Sequence, residues 1–148
     1  MNLDKTYGYD KELAEKGVRI PLGSKDSYIV VAKFGNKRFQ KLFSELTEPY
    51  GKRIERLEAE QQKEIYLECL AETVVLDWGG IMDGKVEVPY SKENVIAMFE
   101  KYPDFHAEVL ELSKEVATFK KLDQEEDLGN SATPSEQNSS LTNEPEQP

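Results

Sequence analysis

The end of the chain contains almost no side chains that a protein core could bury. From Leu122 onward the sequence reads LDQEEDLGNSATPSEQNSSLTNEPEQP, in which the few apolar residues are isolated among polar and charged ones. Ordering a residue costs roughly 1–2 kcal/mol of conformational entropy, and such a segment cannot recover that cost by burial. We therefore predict a single folded domain over residues 1–121 and a disordered acidic tail over residues 122–148.

The negative charge of the chain is unevenly distributed. The formal net charge is -10, from 29 acids and 19 bases, and the stretch from Asp123 to Pro148 contains seven acids and no base. The rest of the chain contains 22 acids and 19 bases. The predicted domain is therefore close to neutral, and most of the excess charge belongs to the predicted tail.

Three observations predict a soluble protein of the cytosol with no membrane partner. The longest apolar run, Tyr28 to Ala32, is far shorter than the roughly 20 residues that cross a bilayer. No basic and apolar leader precedes a small-residue cleavage site. The one cysteine, Cys69, can form neither an internal disulfide nor a thiolate metal cage.

The first third of the chain predicts a short helix followed by a β-hairpin. Residues 10–16 are compatible with a helix, and Gly17 is a plausible C-terminal cap. Alternating apolar residues over 18–22 and a β-branched and aromatic run over 28–34 flank turn residues, as in a hairpin. Pro21 assigns the first strand to a sheet edge. A hairpin is marginally stable alone, so we expect it to pack on helices.

The middle of the chain predicts those helices. Asn36 is a good N-cap, and an apolar face of Phe39, Leu42, Phe43 and Leu46 follows at helical spacing. Pro49 and Gly51 break that helix, and a second, long helix is predicted from Lys52 to about Leu76. From Ile65 it becomes apolar around much of its circumference, which predicts an enclosed central helix.

Two further helices are predicted after a loop that starts at Trp78. Residues 85–88 are expected to form a short β-strand pairing, and Ser91 then caps one helix. Pro103 suits the first position of the next helix, whose apolar residues extend to Phe119. Their spacing also fits a coiled-coil seam of about two heptads, but packing on the domain's own core is favoured. The fold class is thus α+β, mainly helical, with an N-terminal hairpin.

Motifs for catalysis, cofactors and metals are weak. His106 and Cys69 could form a base and nucleophile pair, but their spacing lends no support, and we favour a helix histidine and a small buried hydrophobe. Residues 77–84 superficially resemble a calcium loop, yet Gly79, Ile81 and Val88 occupy places that need oxygen ligands. No phosphate-binding or dinucleotide motif is present. We expect no enzyme activity, no cofactor and no metal.

One region of the sequence is basic. It comprises Lys33, Lys37, Arg38, Lys41, Lys52, Arg53 and Arg56, interleaved with Phe34, Phe39 and Phe43. A nucleic-acid-binding face is one interpretation. A solvated basic stripe above a buried phenylalanine face is favoured, because acids outnumber bases in the same domain. We therefore expect no nucleic acid partner.

The apolar loop at residues 78–82 is the candidate partner-binding site. Trp78, Ile81 and Met82 stand beside glycines, and such side chains can repack against a partner. These side chains can equally well pack into the domain's own core. Both interpretations stay open at the level of sequence, and the second is somewhat favoured.

The order of these features resembles a family of phage proteins. The stretch VVLDWGGIMDGKVEVPYSKENVIAMFEKYPDFHAEVLELSKEVATFK, from Val74 to Lys120, is similar to the tail assembly chaperones of long-tailed bacteriophages. Those proteins have a tryptophan after a central helix, a glycine-bearing turn, a serine-capped helix and a Pro-Asp step into a last helix. The segment GNKRFQKLFSELTEPYGKRI agrees more loosely with their basic and aromatic stretch.

The resemblance implies a non-enzymatic role in building phage tails. Such a chaperone holds the helix-prone tape measure protein in solution and brings tail tube subunits to it. The partners implied are the tape measure protein, the tail tube protein and a longer, frameshifted form of the chain itself. The implied location is the cytoplasm of the infected bacterial host, outside the mature virion. Oligomeric state is left open.

Two other classes of function compete with the chaperone. An acidic DNA mimic that inhibits a nucleic-acid-binding protein is suggested by the net charge of -10, although most of that charge is in the predicted tail. A small hydrolase would use Cys69 and His106. The chaperone is favoured because it needs apolar contact area and no reactive group.

Overall fold

The computed structural model describes residues 1–120. The predicted acidic tail over residues 122–148 therefore lies outside the described residues. The chain divides into two compact units, one comprising Met1–Asp10 and Lys120–Pro148, the other Lys11–Phe119. The mainly helical α+β class is confirmed.

The described part of the first unit contains one short helix, α1 (Leu3–Tyr7), which was not predicted from the sequence. Asn2 is its N-cap, and its side-chain oxygen accepts hydrogen bonds from the backbone amides of Asp4 (3.0 Å) and Lys5 (3.2 Å). The Lys120 ammonium donates to the Lys5 carbonyl at 3.0 Å. The sequence signal for α1 was an asparagine, which is a preferred N-cap residue, directly before the five residues of the helix.

The second unit combines five helices with two small antiparallel sheets, one of three strands and one of two. Its elements in order are α2 (Lys11–Lys16), β1 (Val18–Pro21), β2 (Tyr28–Val31), α3 (Lys37–Thr47), a 3-10 segment (Glu48–Arg56), α4 (Ala59–Thr73), β3 (Val75–Gly79), β4 (Met82–Asp83), β5 (Val86–Glu87), α5 (Lys92–Lys101), α6 (Pro103–Lys114) and a 3-10 turn (Val116–Phe119).

The predicted hairpin is confirmed, but it belongs to a three-stranded sheet. β1 pairs with β2, Val18 lying opposite Val31 and Pro21 opposite Tyr28, and Pro21 is on an edge strand as predicted. β3 forms the third strand, with Trp78 opposite Ile29. The prediction that residues 75–76 end a helix and that Trp78 starts a loop was wrong, because these residues complete the ladder of β2.

The central helix is shorter than predicted at both ends. Residues 48–56 form a 3-10 segment kinked at Gly51, and α4 begins only at Ala59. It ends at Thr73, where the chain turns into β3. The predicted enclosure of its second half is confirmed: Leu67, Cys69, Leu70, Ala71 and Thr73 are buried.

The last two helices begin as predicted. The Ser91 hydroxyl caps α5 by accepting from the Asn94 amide at 3.0 Å, and Pro103 is the first residue of α6. α6 ends at Lys114, earlier than predicted, and the 3-10 turn that follows places Phe119 in the core with no exposed surface. Among the described residues, every helix is too short or too polar to cross a bilayer.

Candidate partner-binding groove

An open apolar depression of about 750 Å³ lies beside the predicted partner-binding residues. We call it the Ile81 groove. Four segments that are distant in sequence supply its lining, which consists of Leu22, Gly23, Ser24, Ser27, Gly80, Ile81, Met82, Met98, Tyr102, Asp104, Phe105 and Glu108. The groove therefore joins the β1–β2 turn, the residues after β3, the end of α5 and the start of α6.

A tight turn at Gly80 starts one wall of the groove. Its φ of 69° lies in the left-handed region, and a Cβ at this position would come within 2.7 Å of the Asp26 carbonyl oxygen. The Ser27 hydroxyl donates to the Gly80 carbonyl at 2.9 Å, which fixes the turn against the β1–β2 connection. Only glycine combines this backbone conformation with this close approach.

Trp78 lies in the core, with 3% of its surface exposed. Its indole N–H donates to the Val88 carbonyl at 2.9 Å. Its ring packs edge-on against Tyr90, with centroids 5.9 Å apart, and lies tilted against Phe105, with centroids 6.3 Å apart. Trp78 thus supports the groove through Phe105, and its own surface is used for core packing in this structure.

Ile81 and Met82 differ from Trp78 in being accessible. The Ile81 carbonyl accepts from the Val88 amide at 2.8 Å, while both side chains line the groove. Met82 is 53% exposed, and Met98 reaches the groove from α5. The structure therefore places two of the three predicted residues at an open apolar surface. Binding of a partner there stays a prediction.

Asp83 fastens the β4–β5 hairpin to the end of α5. Its carboxylate lies 2.8 Å from the Lys101 ammonium and also accepts a hydrogen bond from the Tyr102 hydroxyl. The Lys101 hydrogen bond, followed by that of Tyr102, lowers the pKa of Asp83 below its usual value. Asp83 thus serves a structural ion pair, and the described residues contain no cluster of ligands suited to a metal ion.

Among the described residues that line the groove, two are charged, and both are acidic. Asp104 and Glu108 lie four residues apart on α6, so they are neighbours on one helix face, and both are exposed. Neither takes part in an ion pair within residues 1–120. This pair was not predicted from the sequence.

A second apolar cavity, of about 610 Å³, lies between α3, α4 and α6. Phe43, Ala59, Gln62, Lys63, Ile65, Tyr66 and His106 line it. Phe43 is 42% exposed, so the predicted buried phenylalanine face was wrong at this position. Phe39, by contrast, is buried, and it stacks on Phe43 with ring centroids 6.2 Å apart.

His106 is half-buried, in agreement with the favoured prediction. Its ring stacks on Phe99 with centroids 4.8 Å apart and lies 5.9 Å from Tyr66. Its Nε2 atom is buried without a hydrogen-bond partner. Burial, with a smaller contribution from the positive charge of Lys63, lowers the pKa of His106.

Cys69 lies in an environment that suppresses thiolate chemistry. Its side chain is fully buried in α4, and burial, assisted by the charge of Glu68, raises the pKa of the thiol to about 11. No hydrogen bond links Cys69 to His106 within the described part of the chain. The structure therefore does not assemble the base and nucleophile pair that the hydrolase hypothesis requires.

The basic region is interleaved with acids. The Arg38 guanidinium lies 3.7 Å from the Glu15 carboxylate, and the Glu15 side chain also accepts from the Lys37 amide at 3.1 Å. On neighbouring elements Lys92 bridges Glu68 and Glu72. This mixture of signs is typical of a solvated surface, in agreement with the interpretation favoured from the sequence.

Fold and groove together define a small, mainly helical α+β protein with an open apolar surface. Residues 34–130 match the model of the YdaY prophage protein family. This match covers more than half of the chain, and the chain belongs to that family. It is therefore a phage-derived protein. Neither a curated protein nor a solved structure matches it.

Proposed function

We propose that the protein is a non-catalytic tail assembly chaperone that binds the tape measure protein and recruits tail tube subunits. Two findings support the proposal. The chain is phage-derived, and the part that matches the prophage family contains the whole stretch from Val74 to Lys120 that resembles tail assembly chaperones. The Ile81 groove offers the apolar contact area that a holding function needs.

The groove is the observation that carries the proposal. Its wall includes two methionines, and the flexible, polarisable methionine side chain adapts to clients of different shape. An amphipathic helix binds such a surface by laying its apolar stripe into it. A tape measure protein is long and helix-prone, so it supplies many segments of this kind that would aggregate if left uncovered.

The same proposal assigns the remaining partners and the location. Tail tube subunits, and a longer frameshifted form of the chain, would associate with the chaperone while it holds its client. Assembly would take place in the host cytoplasm, and the chaperone would leave before the virion is complete. No step of this cycle requires a cofactor or a reactive side chain of the protein.

Co-expression with the tape measure protein of the same prophage tests the proposal. The measurement is the fraction of tape measure protein in the soluble lysate with and without the chain. We expect the wild-type chain to raise this fraction severalfold. The variant M82Q, which replaces an exposed groove methionine by a polar side chain of similar size, should reduce the gain, and the double variant M82Q/M98Q should reduce it further.

Val86 provides a matched control. It is 66% exposed on the strand that pairs with β4, but it does not line the groove. The variant V86Q should therefore hold the client as well as the wild type. If the soluble fraction of the tape measure protein is the same with and without the wild-type chain, the proposal is contradicted. If M82Q and V86Q reduce that fraction equally, the client is not held at the groove.

A further inference from the structure

The rim of the Ile81 groove carries uncompensated negative charge. Asp104 and Glu108 line it, and the part of the chain that the structure describes contributes no lysine or arginine to its lining. Lys101, at the end of α5, does not supply compensation, because its ammonium is held by Asp83 at 2.8 Å. A bound helix would therefore meet an apolar floor flanked on one side by two carboxylates.

The spacing of these carboxylates corresponds to one helical turn. Residues i and i+4 of a helix lie about 6 Å apart on the same face. A second helix lying alongside α6 presents its own side chains with the same repeat. Two cations one turn apart on that helix would each face one carboxylate, while its apolar stripe enters the groove.

We propose that the groove selects an amphipathic helix whose apolar stripe is bordered by lysine or arginine residues about one turn apart. This inference rests on the proposed function, because it names the chemistry of the tape measure segment that the chaperone holds. Acidic helices are disfavoured by repulsion from Asp104 and Glu108. The segment from Asp123 to Pro148, with seven acids and no base, has the same sign as the rim and does not complement it.

Overlapping peptides that tile the tape measure protein are the probe, with the full-length chain as receptor. Binding is measured by fluorescence anisotropy at low and at high salt. We expect the binders to be basic amphipathic segments, and replacement of their lysines and arginines by glutamate should abolish binding. Affinity should fall as salt rises, because exposed charge pairs are screened.

The variant D104N/E108Q tests the rim directly. It should weaken the basic binders about three- to tenfold, the effect of losing two exposed charge contacts. The matched control is E111Q/E115Q, which removes the same charge from two exposed positions that are also four residues apart in sequence and do not line the groove. This control should change affinity less than twofold. Thermal unfolding followed by circular dichroism verifies that both variants fold.

A charge exchange makes the test independent of any loss of stability. The variant D104K/E108K should bind the glutamate-substituted peptides and reject the basic ones. Absence of peptide binding, equal binding of basic and glutamate-substituted peptides, or equal effects of the rim and control variants would overturn the inference. If the wild-type chain still solubilises the tape measure protein in that case, the proposed function stands and only the charge selection fails.

Discussion

The side-chain amide of Asn36 donates a hydrogen bond of 2.9 Å to the backbone carbonyl of Thr73, across 37 positions of sequence. The same amide donates to the Lys33 carbonyl at 2.9 Å, and the Asn36 side-chain oxygen caps α3 by accepting from the Phe39 amide at 2.9 Å. One buried residue therefore joins the start of α3 to the end of α4.

The variant N36A should destabilise the protein by about 2–4 kcal/mol. Loss of the N-cap costs about 1 kcal/mol. The buried Thr73 carbonyl would also lose its side-chain donor, which costs about 1–3 kcal/mol. The variant N36S retains a capping hydroxyl but no amide, so it should recover only the cap contribution. Urea unfolding followed by circular dichroism measures the stability of both variants.

Asn94 supplies the control for this prediction. Its side-chain amide also donates to a backbone carbonyl, that of Pro89 at 2.8 Å, but this hydrogen bond is exposed to solvent. The variant N94A should cost less than about 1 kcal/mol, because water replaces the lost donor. Equal effects of N36A and N94A would mean that the buried hydrogen bond between α3 and α4 contributes no more to stability than the exposed one.

His106 should make stability depend on pH below neutrality. Its pKa is lowered in the folded protein, whereas the unfolded imidazole titrates near its ordinary value of about 6.5. Between these two pKa values the unfolded state binds more protons. The contribution of the neutral imidazole is therefore complete above about pH 6.5 and is lost as pH falls toward the folded-state pKa.

The single histidine of the chain makes this effect easy to isolate. Urea midpoints measured from pH 7.5 to pH 5 should decline in the wild type. The variant H106Q, which cannot titrate, should show a flatter profile over the same range. The imidazole pKa can be measured directly by NMR, and a folded-state value at or above 6.5 would refute the prediction.

Local sequence signals predicted the helices with caps, but the extent of the sheet required distant partners. Ser91 and Pro103 mark helix starts by chemistry that acts within one turn, and both predictions were correct. The apolar run at residues 74–76 fits a helix or a strand equally well. β2, more than 40 positions earlier, decides in favour of the strand, because it needs a partner for its second edge.

The groove could be predicted only in part for the same reason. Ile81 and Met82 were found because apolar residues beside glycines are visible in the sequence itself. Asp104 and Glu108 were missed, since exposed acids four residues apart occur on many helices and nothing local distinguishes this pair. Trp78 was assigned to the same loop, whereas pairing of β3 with β2 buries it.

Cys69 should be almost inert in the folded protein. With a thiol pKa of about 11, about one thiol in a thousand is ionised at pH 8, against roughly a quarter for an exposed thiol with a pKa near 8.5. Because the thiolate is the reactive form, modification by a thiol reagent should be at least about 100-fold slower in buffer than in denaturant. Comparable rates would indicate an activated cysteine and would revive the hydrolase hypothesis.

Gly80 and Gly84 form a matched pair for testing the turn that shapes the groove. Both have positive φ, 69° and 65°, so an alanine pays a similar conformational cost of about 1–2 kcal/mol at either position. They differ in their surroundings. A Cβ on Gly84 would meet nothing within 4 Å, whereas one on Gly80 would lie 2.7 Å from the Asp26 oxygen and 2.9 Å from Ser27 Cα.

The variant G80A should therefore be less stable than G84A by about 1–3 kcal/mol, the usual cost of forcing extra atoms into a packed site. Two of the three nearest atoms belong to the backbone of the β1–β2 turn, and Ser27 of that turn lines the Ile81 groove. Urea unfolding gives the difference in stability. In the co-expression assay, G80A should leave a smaller fraction of the tape measure protein soluble than G84A does. If the two variants behave alike in both measurements, the close approach at Gly80 is not what shapes the groove.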